Sequence, residues 1–175
     1  SLLPLLHVLS RFAVAEAAEN MEQWQQGPAL EFLQFSGRQF EPDDYPLAAL
    51  WWKQHDWPAV PVESLPRIGL MVEVDMGSEE GLQPVCCSFM YWDSGWGYIA
   101  WTVADAEAPK AIRSAAVDFA IATLTKLGDE LGITLLYTST RNPAMQERYT
   151  RLGWTPCEQD FQTFIRPRPL PKEEE

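Results

Sequence analysis

Few residues in this chain have both the type and the spacing for chemistry. Asn142 and Tyr149 stand seven residues apart, close to two helical turns, so on a helix they share a face and both can address one extended ligand. Each also has an architectural reading: Asn142 as a helix cap alone, accepting from an amide two or three residues on, and Tyr149 as an aromatic packed under a terminal strand. Glu73 and Asp75 alternate within an apolar run. On a strand they point to one face, where either can relay a proton through water, as a general base does, or both can simply meet solvent.

Other reactive types are less promising. Cys86, Cys87 and Cys157 lack metal-ligand spacing, and neighbours on a strand point to opposite faces, so Cys86 and Cys87 cannot jointly hold an ion. All three read as small buried hydrophobes in a reducing cytoplasm. His7 and His55 lie far apart and read as structural or surface residues. No metal is expected.

The 175 residues, 46% hydrophobic and 12% aromatic, are enough for one domain with a real core. A net charge of -12 argues against a general grip on nucleic-acid phosphates, which needs clustered Lys and Arg. Residues 1–105 carry 4 basic and 15 acidic side chains, and residues 106–175 carry 9 and 10. An acidic first half either draws a cationic amine or a basic protein, or is a solvated surface. A second copy of the chain, forming a homodimer, is a further candidate partner. The apolar run from Leu2 to Val14 is broken by Pro4, His7 and Arg11 and falls short of the roughly 20 residues a membrane span takes. It has no basic stretch ahead of it and no clear cleavage site, so a helix docking on the domain or on a partner is expected. Met21 equally fits a natural start.

The elements that must position these residues follow from pattern. Tyr45 to Trp57 suits a short helix with Leu47, Leu50, Trp51 and Gln54 on one side, and Pro46 in its first turn. Pro58, Pro61 and Pro66 then impose an ordered, extended linker. Arg67 to Asp75, Pro84 to Trp92 and Trp96 to Ala104 read as three antiparallel strands, the last two joined at Asp93-Ser94-Gly95. From Pro109 to Leu131 the period turns helical, with Val117, Ala120, Ile121, Leu124, Leu127 and Leu131 on one face. Gly132 stops that helix, and Ile133 to Thr138 suits a buried parallel strand. Pro143 opens a last helix that runs to about Leu152 and stops at Gly153, followed by a hairpin over 154–166.

This order resembles the GCN5-related N-acetyltransferase superfamily. Asn142-Pro143, Tyr149 and Leu152-Gly153-Trp154 are similar to the family's Asn, Tyr and Gly-Phe ending. Asp44-Tyr45-Pro46-Leu47, Trp51-Trp52-Lys53, Trp57-Pro58, Leu65-Pro66 and Gly69-Leu70 look like acetyltransferase-like proteins common in bacteriophage genomes. The resemblance covers roughly residues 38–167. It implies an N-terminal helical extension over 1–37, a GNAT-like domain over 38–167 with a mixed, mostly antiparallel sheet flanked by helices (α/β, or α+β), and a flexible tail over 168–175. It implies acetyl-CoA as co-substrate, an amine acceptor (a small molecule or a protein amine), and a location in the cytoplasm, the host's if the chain is viral.

Under this resemblance Tyr149 is the acid for the departing thiolate. Its hydroxyl, with an ordinary pKa of about 10, stays protonated at neutral pH and can donate to a thiolate of pKa about 8.5. Asn142 then contacts the cofactor, and the backbone of Trp101, Thr102 and Val103 pairs with the pantetheine arm where a neighbouring strand splays away. The diphosphate meets the free amides at the start of the long helix, where the helix dipole favours an anion. The family loop there is Gln or Arg, two residues, Gly, one residue, then Gly or Ala. This chain has Ala104-Asp105-Ala106-Glu107-Ala108-Pro109, without glycine and with two carboxylates that repel a diphosphate unless turned to solvent. Lys110 and Arg113, one turn apart, compensate for them or form a solvated surface. The alternative class is a non-catalytic module on the same fold that binds a protein through the acidic, Trp-rich first half, as a host-takeover or virion-associated protein would.

Overall fold

The computed structural model describes residues 33–75 and 81–157. The chain divides into two compact units, residues 1–140 and 141–175. The first is built on a five-stranded sheet in the order β1 (Gln34–Gln39), β2 (Ile68–Asp75), β3 (Leu82–Asp93), β4 (Trp96–Ala104) and β5 (Leu135–Tyr137). β1 to β4 pair antiparallel, and β5 joins β4 in parallel. Helix α1 (Tyr45–Gln54) follows β1, and helix α2 (Lys110–Glu130) makes the crossover from β4 to β5. This is the mixed, mostly antiparallel sheet with helices that the sequence predicts.

Side-chain alternation along the strands divides the core. Met71, Cys87, Phe89 and Val103 face one side and bury Ala48, Trp51 and Trp52 of α1. Leu70 faces the other side, where Phe119 of α2 approaches Gly37, and Ala116, Ala120, Ile121, Leu124 and Leu127 of α2 are buried. Each large apolar side chain buried in this way contributes about 1.5–3 kcal/mol. The β3–β4 hairpin turns on two residues, Ser94 and Gly95, both with positive φ, the conformation that matches the twist of the flanking strands. Gly132, at φ 72, ends the approach out of α2 in the left-handed region. Gly97 lets β5 come close: a Cβ there would lie 3.0 Å from both Ile133 and Leu136.

Several expectations are corrected. Residues 34–37, placed in the helical extension 1–37, belong to strand β1; the rest of that extension up to residue 32 lies outside the described residues. Of this strand only Phe35 is buried, so no apolar run announces it. Arg38 fastens it, donating from Nε to Glu73 at 2.8 Å and through both Nη atoms to Asp44 at 2.6 and 2.9 Å. The buried stripe of α1 is Ala48, Trp51 and Trp52, while Leu50 is half exposed, because the helix meets the sheet through the i, i+3, i+4 positions counted from Ala48. Trp57, Trp92, Trp96 and Trp101 are about half exposed. Cys157 is exposed, whereas Cys86 and Cys87 are buried, and burial pushes the Cys87 thiol well up.

The second unit contains helix α3 (Pro143–Arg151). Asn142 caps it, its side-chain oxygen accepting the Ala144 amide at 3.0 Å, and Gly153 at φ 85 follows its end. Residues 154–157 have no strand structure, and the remainder of the expected hairpin and the tail 168–175 lie outside the described residues. Among the described residues no helix is long and apolar enough to cross a membrane, and no cluster of three His, Cys, Asp or Glu is arranged to hold a metal.

Candidate functional site

The centre of the first unit's site is an irregularity in β4. Cys87 pairs with Val103 and Phe89 with Ala100, so Ser88 alone opposes Trp101 and Thr102, which makes a β-bulge. Trp101 is the extra residue, at φ 57, a left-handed conformation that costs a non-glycine residue about 1–2 kcal/mol. Side chains on either side hold it there. Ser88 Oγ and Thr102 Oγ1 share a hydrogen bond of 2.7 Å, Trp101 Nε1 donates to the Tyr91 hydroxyl at 3.0 Å, and that hydroxyl donates to the Ser64 carbonyl at 2.6 Å.

The bulge coincides with an opening in the sheet. The β4–β5 ladder ends at the Tyr98–Tyr137 pair, and the Thr138 hydroxyl takes the Ile99 carbonyl at 3.0 Å. Beyond it, residues 100–104 of β4 have no strand beside them on that edge among the described residues. Trp101, Thr102 and Val103, expected to offer backbone groups to an amide-bearing arm, lie within this stretch.

The loop from β4 to α2 is occupied from within. The Asp105 amide donates to Val85 O at 2.9 Å, the Ala106 amide to Gln54 Oε1 at 2.9 Å, the Glu107 amide to Asp105 Oδ1 at 3.0 Å and the Ala108 amide to Asp105 O at 3.3 Å. His55 Nε2 donates to Ala104 O at 2.9 Å while its ring stacks on Trp57. Internal acceptors therefore do here what glycine-rich backbone would leave to a phosphate. Asp105 turns inward on its own loop, and Glu107 is exposed.

Helix α2 begins without a side-chain cap at Pro109. The amides of Lys110, Ala111 and Ile112 have no acceptor among the described residues, and these are the donors a helix start offers an anion. Lys110 is exposed, whereas Arg113 is half-buried with its Nε buried and lacking a hydrogen-bond partner among the described residues. Such a donor carries a desolvation cost of about 1–3 kcal/mol until an acceptor reaches it.

The carboxylates proposed as bases differ. Glu73 is tied to Arg38 at 2.8 Å, and Asp75 sits at the end of β2 opposite Gln34. In the second unit, Asn142 and Tyr149 occupy the cap and the second turn of α3. Tyr149 is buried against Trp154, with ring centroids 5.1 Å apart in an edge-to-face arrangement. His55 is the structural residue expected, and its hold and that of Gln54 on this loop reach across about fifty residues of sequence, so nothing local marks the contact.

No family model matches the chain, and no curated protein matches its sequence. Solved structures do. An acetyltransferase from Trypanosoma brucei matches over 75% of this chain and 100% of its own, with TM-score 0.52 and 14% identity. A Mycobacterium tuberculosis protein solved in complex with CoA matches over 73% of this chain and 75% of its own, with TM-score 0.52 and 18% identity. Glucosamine-6-phosphate N-acetyltransferase from Arabidopsis thaliana matches over 76% and 99%, with TM-score 0.50 and 10% identity. Likenesses at this level of identity establish the architecture. It is the fold of the GCN5-related acetyltransferases.

Proposed function

We propose that the chain is an acetyl-CoA-dependent N-acyltransferase in which an amine attacks the thioester directly in a ternary complex. The observation that carries this reading is the open edge of β4 beside the Trp101 bulge, where an extended, amide-bearing arm can pair with backbone groups that no strand among the described residues uses. The residues present fit the rest of the coenzyme. The amides of Lys110, Ala111 and Ile112 and the partnerless Nε of Arg113 suit a diphosphate, with Lys110 adding charge.

In the reaction the amine nitrogen forms a bond to the acyl carbon, the carbon–sulfur bond breaks, and the thiolate takes a proton. Tyr149 is the proposed acid and Asn142 a cofactor contact; both roles rest on the sequence resemblance. The attacking nitrogen loses a proton to water. Glu73 is committed to Arg38, so an acceptor that arrives neutral, needing no protein base, suits this chain best.

One observation favours a second reading, a non-catalytic protein-binding module on the same fold: the loop 105–108 has every amide engaged internally. Thermal unfolding with acetyl-CoA separates the two. At 100 times its dissociation constant the ligand stabilises the native state by about 2.7 kcal/mol. An unchanged melting temperature at millimolar acetyl-CoA would sink the enzyme reading. If acetyl-CoA binds and an accepted amine is found, Tyr149→Phe is expected to lower kcat, and unchanged turnover would remove Tyr149 from the mechanism.

A further inference from the structure

Beyond the footprint of α1, the same sheet face carries a row of aromatic rings. Tyr91, Tyr98 and Tyr137 are register partners across β3, β4 and β5. Their ring centroids are 6.5 and 5.4 Å apart, with interplanar angles of 33° and 30°. Trp101 joins through its hydrogen bond to Tyr91, and Trp96, two residues before Tyr98, shares the face. The two indoles are 45% and 47% exposed. The open edge does not require Trp96, Tyr98 or Tyr137 to be aromatic.

Two observations define what such a row can hold. Three of its polar groups are engaged: the Trp101 indole N–H with Tyr91, the Tyr91 hydroxyl with Ser64, and the Tyr98 hydroxyl with Ser139 at 2.8 Å. Aromatic ring faces attract a cation by about 0.5–2 kcal/mol each and pack against alkyl chain. The charge around them agrees. β3, β4 and β5 contain no Lys, Arg or His, and their single charged residue, Asp93, lies on the same face two residues from Tyr91. Residues 1–140 as a whole carry 19 acidic against 7 basic side chains.

We propose that this row binds an alkylammonium group of a small-molecule amine and so selects the acceptor. The identity of the bound molecule as acceptor rests on the acyltransferase reading; the cation site itself does not. Because rings hold a cation while the nucleophile must be neutral, the molecule that meets both demands carries two amino groups, one held on the rings and one free to lose its proton and attack.

The test follows the indole N–H resonances of the isotope-labelled full chain at pH 7 and low salt, with Trp101 assigned from Trp101→Phe. The chain is titrated with 1,5-diaminopentane, with the uncharged 1,5-pentanediol, and with an acetyl-lysine-methylamide peptide mimic, each with and without CoA. A saturable shift of the Trp101 signal with the diamine and none with the diol is expected. Tyr98→Leu is expected to weaken the diamine about fivefold, roughly 1 kcal/mol; Tyr137→Leu serves if Tyr98→Leu does not fold. No saturable diamine shift, an equal shift with the diol, or tighter binding of the lysine mimic overturns the proposal. Diamine binding without any stabilisation by acetyl-CoA overturns the acyltransferase reading and leaves the cation site standing; acetyl-CoA binding without a diamine response does the reverse.

Discussion

Gln54 and Ala106 are 52 residues apart in the chain, and the side-chain oxygen of the first accepts the amide of the second at 2.9 Å. With His55 bonded to Ala104 O at 2.9 Å, the end of α1 holds the loop that leads into α2. Backbone placement that glycines give elsewhere is here imposed from outside the loop.

The loop contact has a measurable cost. Gln54→Ala leaves the Ala106 amide without its acceptor and is expected to destabilise the fold by about 1 kcal/mol in urea unfolding. On the acyltransferase reading it also weakens acetyl-CoA several-fold, because the start of α2 loses its anchor, while Gln54→Glu, which keeps an acceptor, restores most of the affinity. Wild-type affinity in the alanine variant would detach the loop from the cofactor.

Acid sensitivity follows from Asp44. Burial pushes its carboxyl up, but hydrogen bonds from Arg38 and from the Glu41 amide, with the attraction of the guanidinium, hold it below its ordinary value of 3.8. A carboxyl depressed on folding stabilises above its unfolded pKa, and that contribution is lost as pH falls through the folded one. Asp44→Asn is expected to cost about 1 kcal/mol near neutrality. The gap from wild type closes below about pH 4. Urea melts of both proteins across that range would show a constant gap if the ion pair contributes nothing.

Backbone strain at Trp101 can be separated from its ring. Both Trp101→Gly and Trp101→Ala remove the indole, but only glycine occupies φ 57 without steric cost. The glycine variant is expected to be the more stable of the two by about 1 kcal/mol. Equal unfolding free energies would mean that the bulge relaxes once the indole is gone.

Gly69 is a packing requirement. A Cβ there would lie 2.8 Å from Phe40 Cβ and 2.9 Å from the Phe89 ring, and those two rings are themselves locked edge to face at 4.8 Å. Gly69→Ala is expected to destabilise by about 1–3 kcal/mol, read by chemical denaturation.

Where local pattern was strong, the sequence was legible. The apolar runs of β2, β3 and β4, the Asp93-Ser94-Gly95 turn and the long helical period of α2 all carry their signals within a few residues. β1 escaped because its stabilising partner, the Asp44 and Glu73 pair around Arg38, is assembled only in three dimensions. Leu50 misled for a related reason: periodicity says that a residue is apolar, and only the limited footprint of α1 on the sheet decides whether anything covers it. The resemblance points to Trp101 to Val103, which the structure places in the stretch of β4 without a described neighbour strand, whereas the bulge that strains Trp101 and the hold of Gln54 on Ala106 depend on pairings between distant segments.

The stretch of β4 without a neighbour strand has a consequence for the protein's behaviour in concentrated solution. Among the described residues it is an edge in the interior of a sheet, five residues long and free of charge and of proline, which leaves the Trp101 bulge to discourage a foreign strand. On the acyltransferase reading, the opening that admits the amides of a ligand admits those of a neighbouring chain equally well. On that reading, a bound coenzyme and a neighbouring chain therefore compete for one row of backbone groups.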